Sequence, residues 1–260
     1  MDYGIMILVC LLAGLGAGVG TGFAGMSAAA VITPMLVTFL GMEPYAAVGI
    51  ALASDVLASA VSAYTYGKNK NLDIRGGAVM MAAVLVFTVV GSYVSSLVPS
   101  STMGNFSVFM TMLLGVKFIV KPVMTTKDDM MAHSKKEMVV KSIVCGSVVG
   151  FICGFVGAGG GMMMLLLLTA VMGYELKTAV GTSVFIMTFT ALTGALSHFV
   201  IGGAPEWLPL VLCVGFTLLF ARIAAKIANK SEPKTLNRVT GVVLLLLGVV
   251  VLTFSLFSKS

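Results

Sequence analysis

The sequence predicts an all-α polytopic membrane protein, and three observations lead to this fold class: composition, hydropathy and the position of the basic residues. Of the 260 residues, 58% are hydrophobic and only 10% are charged, and the mean hydropathy is +1.08. Soluble chains are about 25% charged. Because the apolar excess runs through the whole length, a soluble domain is excluded. The basic residues lie in short intervals between apolar runs, so the net charge of +6 does not indicate a nucleic-acid partner.

Eight apolar segments follow one another along the chain. A helix that crosses the membrane needs about 20 residues, and two of the segments are too long for one crossing. Each of these two has a glycine-rich stretch near its middle, where glycine weakens a helix by roughly 1 kcal/mol per residue. We therefore expect each long segment to break into two helical pieces. The eight segments cover residues 4–40, 46–66, 76–98, 104–120, 142–172, 178–201, 207–228 and 236–257.

The two halves of the chain share a pattern of special residues, which indicates an internal duplication. All matched pairs are separated by 132 positions, with no gap. The expected organisation is a first transmembrane repeat at 1–121, a cytoplasmic linker at 122–141 and a second repeat at 142–260. The pairs are Gly14 and Gly146, Gly18 and Gly150, Gly22 and Gly154, Phe23 and Phe155, Gly25 and Gly157, Gly41 and Gly173, Glu43 and Glu175, Ala47 and Ala179, Val48 and Val180, and Gly49 and Gly181.

The distribution of Lys and Arg predicts that the two repeats are inverted. The intervals 67–75, 121–141 and 226–235 are rich in basic residues, whereas 99–103 and 202–206 have none. The basic intervals share one side only if each long segment is a hairpin that returns to its starting side. The positive-inside rule then places the basic loops in the cytoplasm and both termini outside the cell membrane. Each repeat is thus a broken-helix hairpin followed by three transmembrane helices.

The two breaks are the predicted substrate site. A break in hydrocarbon needs a reason, because an unpaired backbone group there costs several kcal/mol, and inverted repeats with broken helices are typical of transporters that bind substrate at the midplane. The N-terminus of a helix piece that follows a break suits an anion. Glycine for tight packing is the alternative. The candidate substrate-binding residues are Gly25, Met26, Ser27, Ala28, Gly157, Gly159, Gly160 and Gly161.

Glycine at every fourth position from Gly14 to Gly22, and from Gly146 to Gly154, makes a smooth helix face. We expect these faces to pack the two hairpins rather than to contact substrate.

Three polar residues complete the candidate site. Thr182 and Ser183 lie near the start of an apolar segment, where hydroxyl groups either cap the helix or donate to an anion. Asp55 lies near the middle of the segment 46–66, where a carboxylate costs roughly 2.5–3.5 kcal/mol. It is the candidate coupling residue for a proton or cation, and a neutral hydrogen-bonded carboxyl is the alternative. Its counterpart in the second half is Met187.

The chemistry of an enzyme is not predicted. The sequence has no nucleophile–base set, paired carboxylates or phosphate-binding loop, and its four cysteines lack metal-ligand spacing. No cofactor or metal is expected.

Several of these motifs resemble the TauE/SafE, or sulfite exporter, family of membrane transporters. The stretch Gly154–Gly161 is similar to its G-x-x-G-x-G-G-G break, Ala179–Ser183 to its A-x-[GA]-T-S element, and Thr190–Leu196 to its T-A-L-x-G-A-L stretch. Pro34 fits the proline after the first break. The first half departs from the pattern, because Met26-Ser27-Ala28 replaces glycines and Asp55 is extra.

The resemblance implies transport of a small sulfur-containing or organic anion, such as sulfite, sulfoacetate or a related sulfonate. The expected partners are that anion, the lipid bilayer and protons as the coupling ion, whereas the oligomeric state stays open. Two other interpretations also stay open: a non-transport membrane component, for metal handling, redox chemistry or assembly, and an uncoupled anion channel.

Overall fold

The structure is a computed structural model that describes residues 3–95, 112–113, 115–131, 135–156 and 160–257. Within these residues every regular element is a helix, and six helices are long and apolar enough to cross a membrane. This confirms the all-α polytopic membrane fold. Residues 115–120 are also helical. The helices are α1 Tyr3–Ala24, α2 Ala29–Leu40, α3 Pro44–Lys68, α4 Ile74–Ser95, α5 Lys127–Met131, α6 Lys135–Val156, α7 Gly160–Ala170, α8 Leu176–Gly202, α9 Trp207–Lys230 and α10 Pro233–Phe257.

Both long apolar segments are broken helices, as the sequence predicts. The first segment forms α1 and α2, with the break at residues 25–28, and the second forms α6 and α7. A shift of 132 positions superposes α1 on α6, α2 on α7, α3 on α8 and α4 on α9, with helix ends that differ by three residues or fewer. The duplication in sequence is therefore a duplication in structure. The domain boundaries at 121 and 141 stay a prediction, and α6 begins at Lys135, between them.

The two repeats are inverted with respect to each other. The equivalent helices α3 and α8 pack side by side, with Gly49 beside His198, Gly194 beside Leu52, and Gly181 beside Tyr66. Residue numbers on one helix rise as those on the other fall, so the two helices run antiparallel. Equivalent elements that run in opposite directions require a twofold axis in the membrane plane, which is the symmetry of an inverted repeat.

The basic intervals converge on one face of the bundle, which we call the inner face. Asn71 donates from Nδ2 to Oδ1 of Asn229 over 2.7 Å, and Lys127 Nζ donates to the carbonyl of Lys70 over 2.9 Å. On the opposite, outer face, Glu43 lies beside the interval 203–205, which has no basic residue. The relative positions of these loops match the prediction from charge. Which face is cytoplasmic stays a prediction of the positive-inside rule.

This orientation predicts a difference in cysteine labelling. In a variant without the four native cysteines, Ala204→Cys should react with a membrane-impermeant thiol reagent added to intact cells, whereas Lys70→Cys should react only after the membrane is opened. The reason is that Ala204 lies on the outer face and Lys70 on the inner face. The reverse pattern would contradict the assignment of the basic face to the cytoplasm.

The glycine series of both hairpins serve close helix packing, as predicted, and the helices that they contact belong to the other repeat. A Cβ atom added at Gly14 or Gly22 would lie 2.5 Å from the Cβ of Phe216 or Ala224 on α9. Glycines at these positions allow α1 and α9 to approach closely. In the same way, Gly146 lies against Met80 and Ala83 on α4. The hairpin contact between α1 and α2 uses other positions, because each helix face spaced by four residues meets only one neighbour.

Candidate functional site

At the first break, hydroxyl groups of the chain donate hydrogen bonds to backbone carbonyl groups. Gly25 adopts a left-handed conformation with φ of 60°, which favours glycine. Tyr66 Oη donates to the carbonyl of Gly22 over 2.9 Å, Thr240 Oγ1 donates to that of Phe23 over 3.3 Å, and Thr21 Oγ1 donates to that of Met26 over 2.8 Å. These bonds remove the cost of a chain break inside the bundle.

Asp55 is a residue of α3, and its carboxyl group lies against the N-terminus of α2, directly after this break. Ser27 Oγ donates to Asp55 Oδ2 over 2.7 Å, Ser59 Oγ donates to Asp55 Oδ1 over 2.8 Å, and the backbone of Ala28 adds a further hydrogen bond. The side chain is only 1% exposed. A buried carboxyl group at a helix N-terminus is stabilised by the free N–H groups and the positive end of the helix dipole. The N-terminus of α2 is therefore already occupied by an acidic group of the chain itself.

The second repeat lacks all the side chains that form this arrangement. The positions equivalent to Ser27, Asp55 and Ser59 are Gly159, Met187 and Ala191. Because all three are replaced together, a comparison of the two repeats in sequence could have linked these residues to one another. The separate motifs did not indicate this link. Asp55 and Ser59 lie on α3, so the difference between the two repeats extends from the first break to the helix packed beside it.

The start of α7 lies against the first break inside the bundle. A Cβ atom added at Gly161, on the first turn of α7, would lie 2.5 Å from the carbonyl oxygen of Gly25 and 2.6 Å from the sulfur of Met187. Glycine at 161 thus allows the start of α7 to approach the first break. Asp55 lies close to the middle of α3, so this meeting point is near the level of the twofold axis.

The other predicted site residues divide into three groups. Met26 is buried beside the break, with its terminal methyl group against Gly20. Ser183 also contacts the first break, since a Cβ atom added at Gly25 would collide with its hydroxyl group, and that hydroxyl donates to the carbonyl of Val180. Gly157 and Gly159 lie outside the described residues. Thr182 is directed elsewhere, because its Oγ1 accepts a hydrogen bond from the backbone N–H of Asp73.

A polar cluster that sequence analysis missed joins the two repeats at the inner face. Tyr174 Oη donates to Asp73 Oδ2 over 2.6 Å, while Asp73 Oδ1 accepts from the backbone N–H of Gly76. Burial is the largest cause of a raised pKa at Tyr174, and the hydrogen bond to Asp73 and the charge of Asp73 raise it further. The phenol therefore stays protonated and donates. Beside this pair, Lys177 Nζ donates to the carbonyl of Asn229 over 2.9 Å. We call Asp73, Tyr174, Thr182, Asn71 and Asn229 the inner cluster.

Removing one hydrogen bond of the inner cluster should destabilise the closed inner face. Tyr174→Phe leaves Asp73 without its phenol donor, at a cost of about 1–3 kcal/mol. We expect a lower melting temperature in detergent, and a double-mutant cycle with Asp73→Asn should show coupling between the two residues. The control is Tyr64→Phe, because the Tyr64 side chain is 71% exposed. Equal melting temperatures for Tyr174→Phe and the wild type would contradict this role.

The outer face between α3 and α8 is closed by a ring contact instead of a polar cluster. The rings of Tyr45 and His198 lie 4.1 Å apart, and His198 Nδ1 lies 3.1 Å from the carbonyl oxygen of Tyr45. A cavity of about 50 Å³ lies next to them, and it is too small for an organic anion. The two ends of the α3–α8 pair therefore differ in chemistry although the repeat makes them equivalent in position.

These features define a class: a polytopic membrane protein of two inverted repeats, each with a broken helix. Such an architecture is that of a membrane transporter. The sulfite exporter TauE/SafE family model matches residues 10–251, and the chain belongs to this family.

Several curated relatives are similar over most of their length. The chain is 27% identical to the probable membrane transporter protein YunE of Bacillus subtilis, over 99% of this chain and 100% of that protein. It is 27% identical to a probable membrane transporter protein of Haemophilus influenzae, over 89% of this chain and 92% of that protein. It is 25% identical to a probable membrane transporter protein of Methanocaldococcus jannaschii, over 79% of this chain and 78% of that protein. No solved structure matches the chain significantly.

Proposed function

We propose that this membrane transporter is a proton-coupled secondary transporter of a small sulfur-containing or organic anion, with sulfite and small sulfonates as the substrate class. The observation that carries the proposal is the position of Asp55, a buried carboxyl group bonded to the first break, against which the start of α7 packs. The family supports transport of a sulfur oxyanion, and the geometry supports both a site for its negative charge and a group that carries a proton.

The start of α7 is the proposed substrate site. Its first residue, Gly160, has no side chain, so an anion can approach the backbone N–H groups of the first turn, whereas the space beside Gly161 is taken by the Gly25 carbonyl and Met187. No acidic residue occurs in α8, which supplies Met187 opposite this turn. The N-terminus of α7 therefore has no carboxylate from α8 to neutralise it, in contrast to the N-terminus of α2, and it is free to bind an external negative charge.

Asp55 is the proposed proton carrier. A charged carboxylate beside a bound anion would repel it in a medium of low dielectric constant, so anion binding favours the neutral, protonated carboxyl group. The proton adds to a carboxylate oxygen of Asp55 from the side on which the anion enters. It leaves to water on the other side when the anion dissociates. Proton and anion are thus taken up and released together.

Counterflow in proteoliposomes tests the proposal. Vesicles loaded with unlabelled sulfite should take up labelled sulfite faster than protein-free vesicles, and a panel of sulfonates and carboxylates should compete to different extents. Uptake no faster than in protein-free vesicles for every anion of the panel would contradict the proposal. Conductance of the anion without counterflow would identify an uncoupled channel.

A side chain at the start of α7 should weaken binding more than folding. Gly160→Val places a branched side chain where the anion approaches the backbone, so we expect the apparent Kd for substrate to rise about tenfold or more, which corresponds to about 1.4 kcal/mol. The melting temperature without substrate measures folding separately. An unchanged Kd in a folded Gly160→Val variant would contradict a site at this helix end.

A further inference from the structure

We propose that Asp55 makes the site selective for anions with a single charged head group and excludes anions with two. This inference rests on the proposed function, because it takes the start of α7 as the substrate site. It names a specificity-determining residue and narrows the substrate class to sulfite-sized oxyanions and alkyl sulfonates that have no second acidic group.

First, the N-terminus of α2 already holds an acidic group of the chain itself. The Asp55 carboxyl group, which is 1% exposed, accepts hydrogen bonds from the Ser27 and Ser59 hydroxyl groups and from the backbone of Ala28. These are the groups that an anion at this helix end would use. Asp55 has the chemistry of a bound carboxylate ligand, but it is part of the chain.

The second argument is the divergence of the two repeats. An unmodified inverted duplication would direct two equivalent helix ends at one site, and such a site would suit a ligand with two charged groups. Here the second repeat has Gly159, Met187 and Ala191 where the first has Ser27, Asp55 and Ser59. One helix end therefore contains its own acid, and the other end does not receive one from these positions.

The third argument is the close approach of the two helix ends. Gly161 on the first turn of α7 lies against the carbonyl of Gly25, two residues before Ser27. A ligand whose first charged group binds α7 would place a second charged group toward Ser27 and Asp55. The hydrogen-bond donors at that position already bond to the Asp55 carboxyl group, which also fills the space. The second charged group of the ligand would therefore be buried without a partner, which is strongly unfavourable. A ligand with one charged group meets no such conflict.

The wild-type protein provides the first test. Methanesulfonate and sulfoacetate share the sulfonate group and differ by one carboxylate, and each is added to the purified full chain while its melting temperature is measured. We expect methanesulfonate to reach half of its stabilising effect at a concentration at least about tenfold lower than sulfoacetate. Equal or tighter binding of sulfoacetate would overturn the proposal.

The second test removes the Asp55 carboxyl group and replaces it with free formate. In Asp55→Gly, formate should raise the melting temperature, and the preference for methanesulfonate over sulfoacetate should fall about tenfold. Asp55→Asn is the matched control, because its amide still fills the position, and formate should affect neither this variant nor the wild type. If formate leaves the melting temperature of Asp55→Gly unchanged, the proposal is wrong.

The two tests separate this inference from the proposed function. If neither sulfonate binds the wild type but formate stabilises Asp55→Gly, the occupied helix end is supported and the proposed substrate class fails. If methanesulfonate binds the wild type and sulfoacetate binds equally well, the proposed function is supported and the selectivity role of Asp55 fails. The wild-type comparison needs no substituted protein, so the inference can be refuted even if Asp55→Gly does not fold.

Discussion

Substituting Asp55→Asn should abolish the response of transport to a pH gradient while substrate exchange continues. Asparagine keeps the size of the side chain and can accept from one of the two hydroxyl groups that bond to Asp55, those of Ser27 and Ser59, and donate to the other, but it cannot take up a proton. With one proton carried per anion, each unit of pH difference can change the accumulation ratio about tenfold. We expect this factor to fall to about one in the variant.

The measurement is uptake of labelled substrate into proteoliposomes with an imposed pH difference, compared with counterflow at equal pH. Ser54→Ala is a suitable control, since Ser54 is buried on the same helix but donates to the carbonyl of Ile50 and not to Asp55. It should keep the gradient response. Gradient-driven accumulation that is the same in Asp55→Asn and the wild type would reduce Asp55 to a structural polar group.

The second large effect is expected at the contact between α1 and α9. In Gly22→Leu, the added Cβ would lie 2.5 Å from the Cβ of Ala224, 2.8 Å from the carbonyl oxygen of Ala221 and 2.9 Å from the backbone N of Ala225. Two of these atoms belong to the backbone and cannot move aside as a side chain can. Overpacking of this kind costs about 3 kcal/mol or more. We expect loss of folded, monodisperse protein.

Gly215→Leu is the matched control for this prediction. Gly215 is on α9 as well, but a Cβ atom there would meet no atom within 4 Å. The same substitution should therefore leave expression and size-exclusion behaviour unchanged. If Gly22→Leu yields as much monodisperse protein as Gly215→Leu, the close packing of α1 on α9 is wrong.

The breaks, the duplication and the grouping of basic loops could be predicted from sequence because each depends on local composition or on spacing along the chain. Gly25 and Gly157 lie in segments too long for one crossing. They are 132 positions apart, as are all the other matched pairs, and this constant separation revealed the repeat. The position of Asp55 near the midplane followed from its place in an apolar segment. None of these predictions depends on which helices are neighbours in the structure.

The partners of the site residues could not be predicted, because they depend on how distant segments pack. Ser27 and Asp55 are 28 positions apart and Asp73 and Tyr174 are 101 apart, so no local pattern joins them. The partner helices of the glycine series could not be predicted for the same reason: a smooth helix face predicts close packing but not which helix supplies the partner. Thr182 was predicted as a site residue together with its neighbour Ser183, but its hydroxyl group lies on a different side of α8 and bonds to Asp73.

A structure with bound substrate tests the central claim most directly, and selenite is a suitable probe because it is a heavier analogue of sulfite whose selenium can be located by anomalous scattering. The account predicts one selenium position at the first turn of α7, within hydrogen-bonding distance of a backbone N–H group and beside the Ser27–Asp55 pair. Selenium at the outer cavity near His198, or none inside the bundle at a concentration that saturates transport, would contradict it.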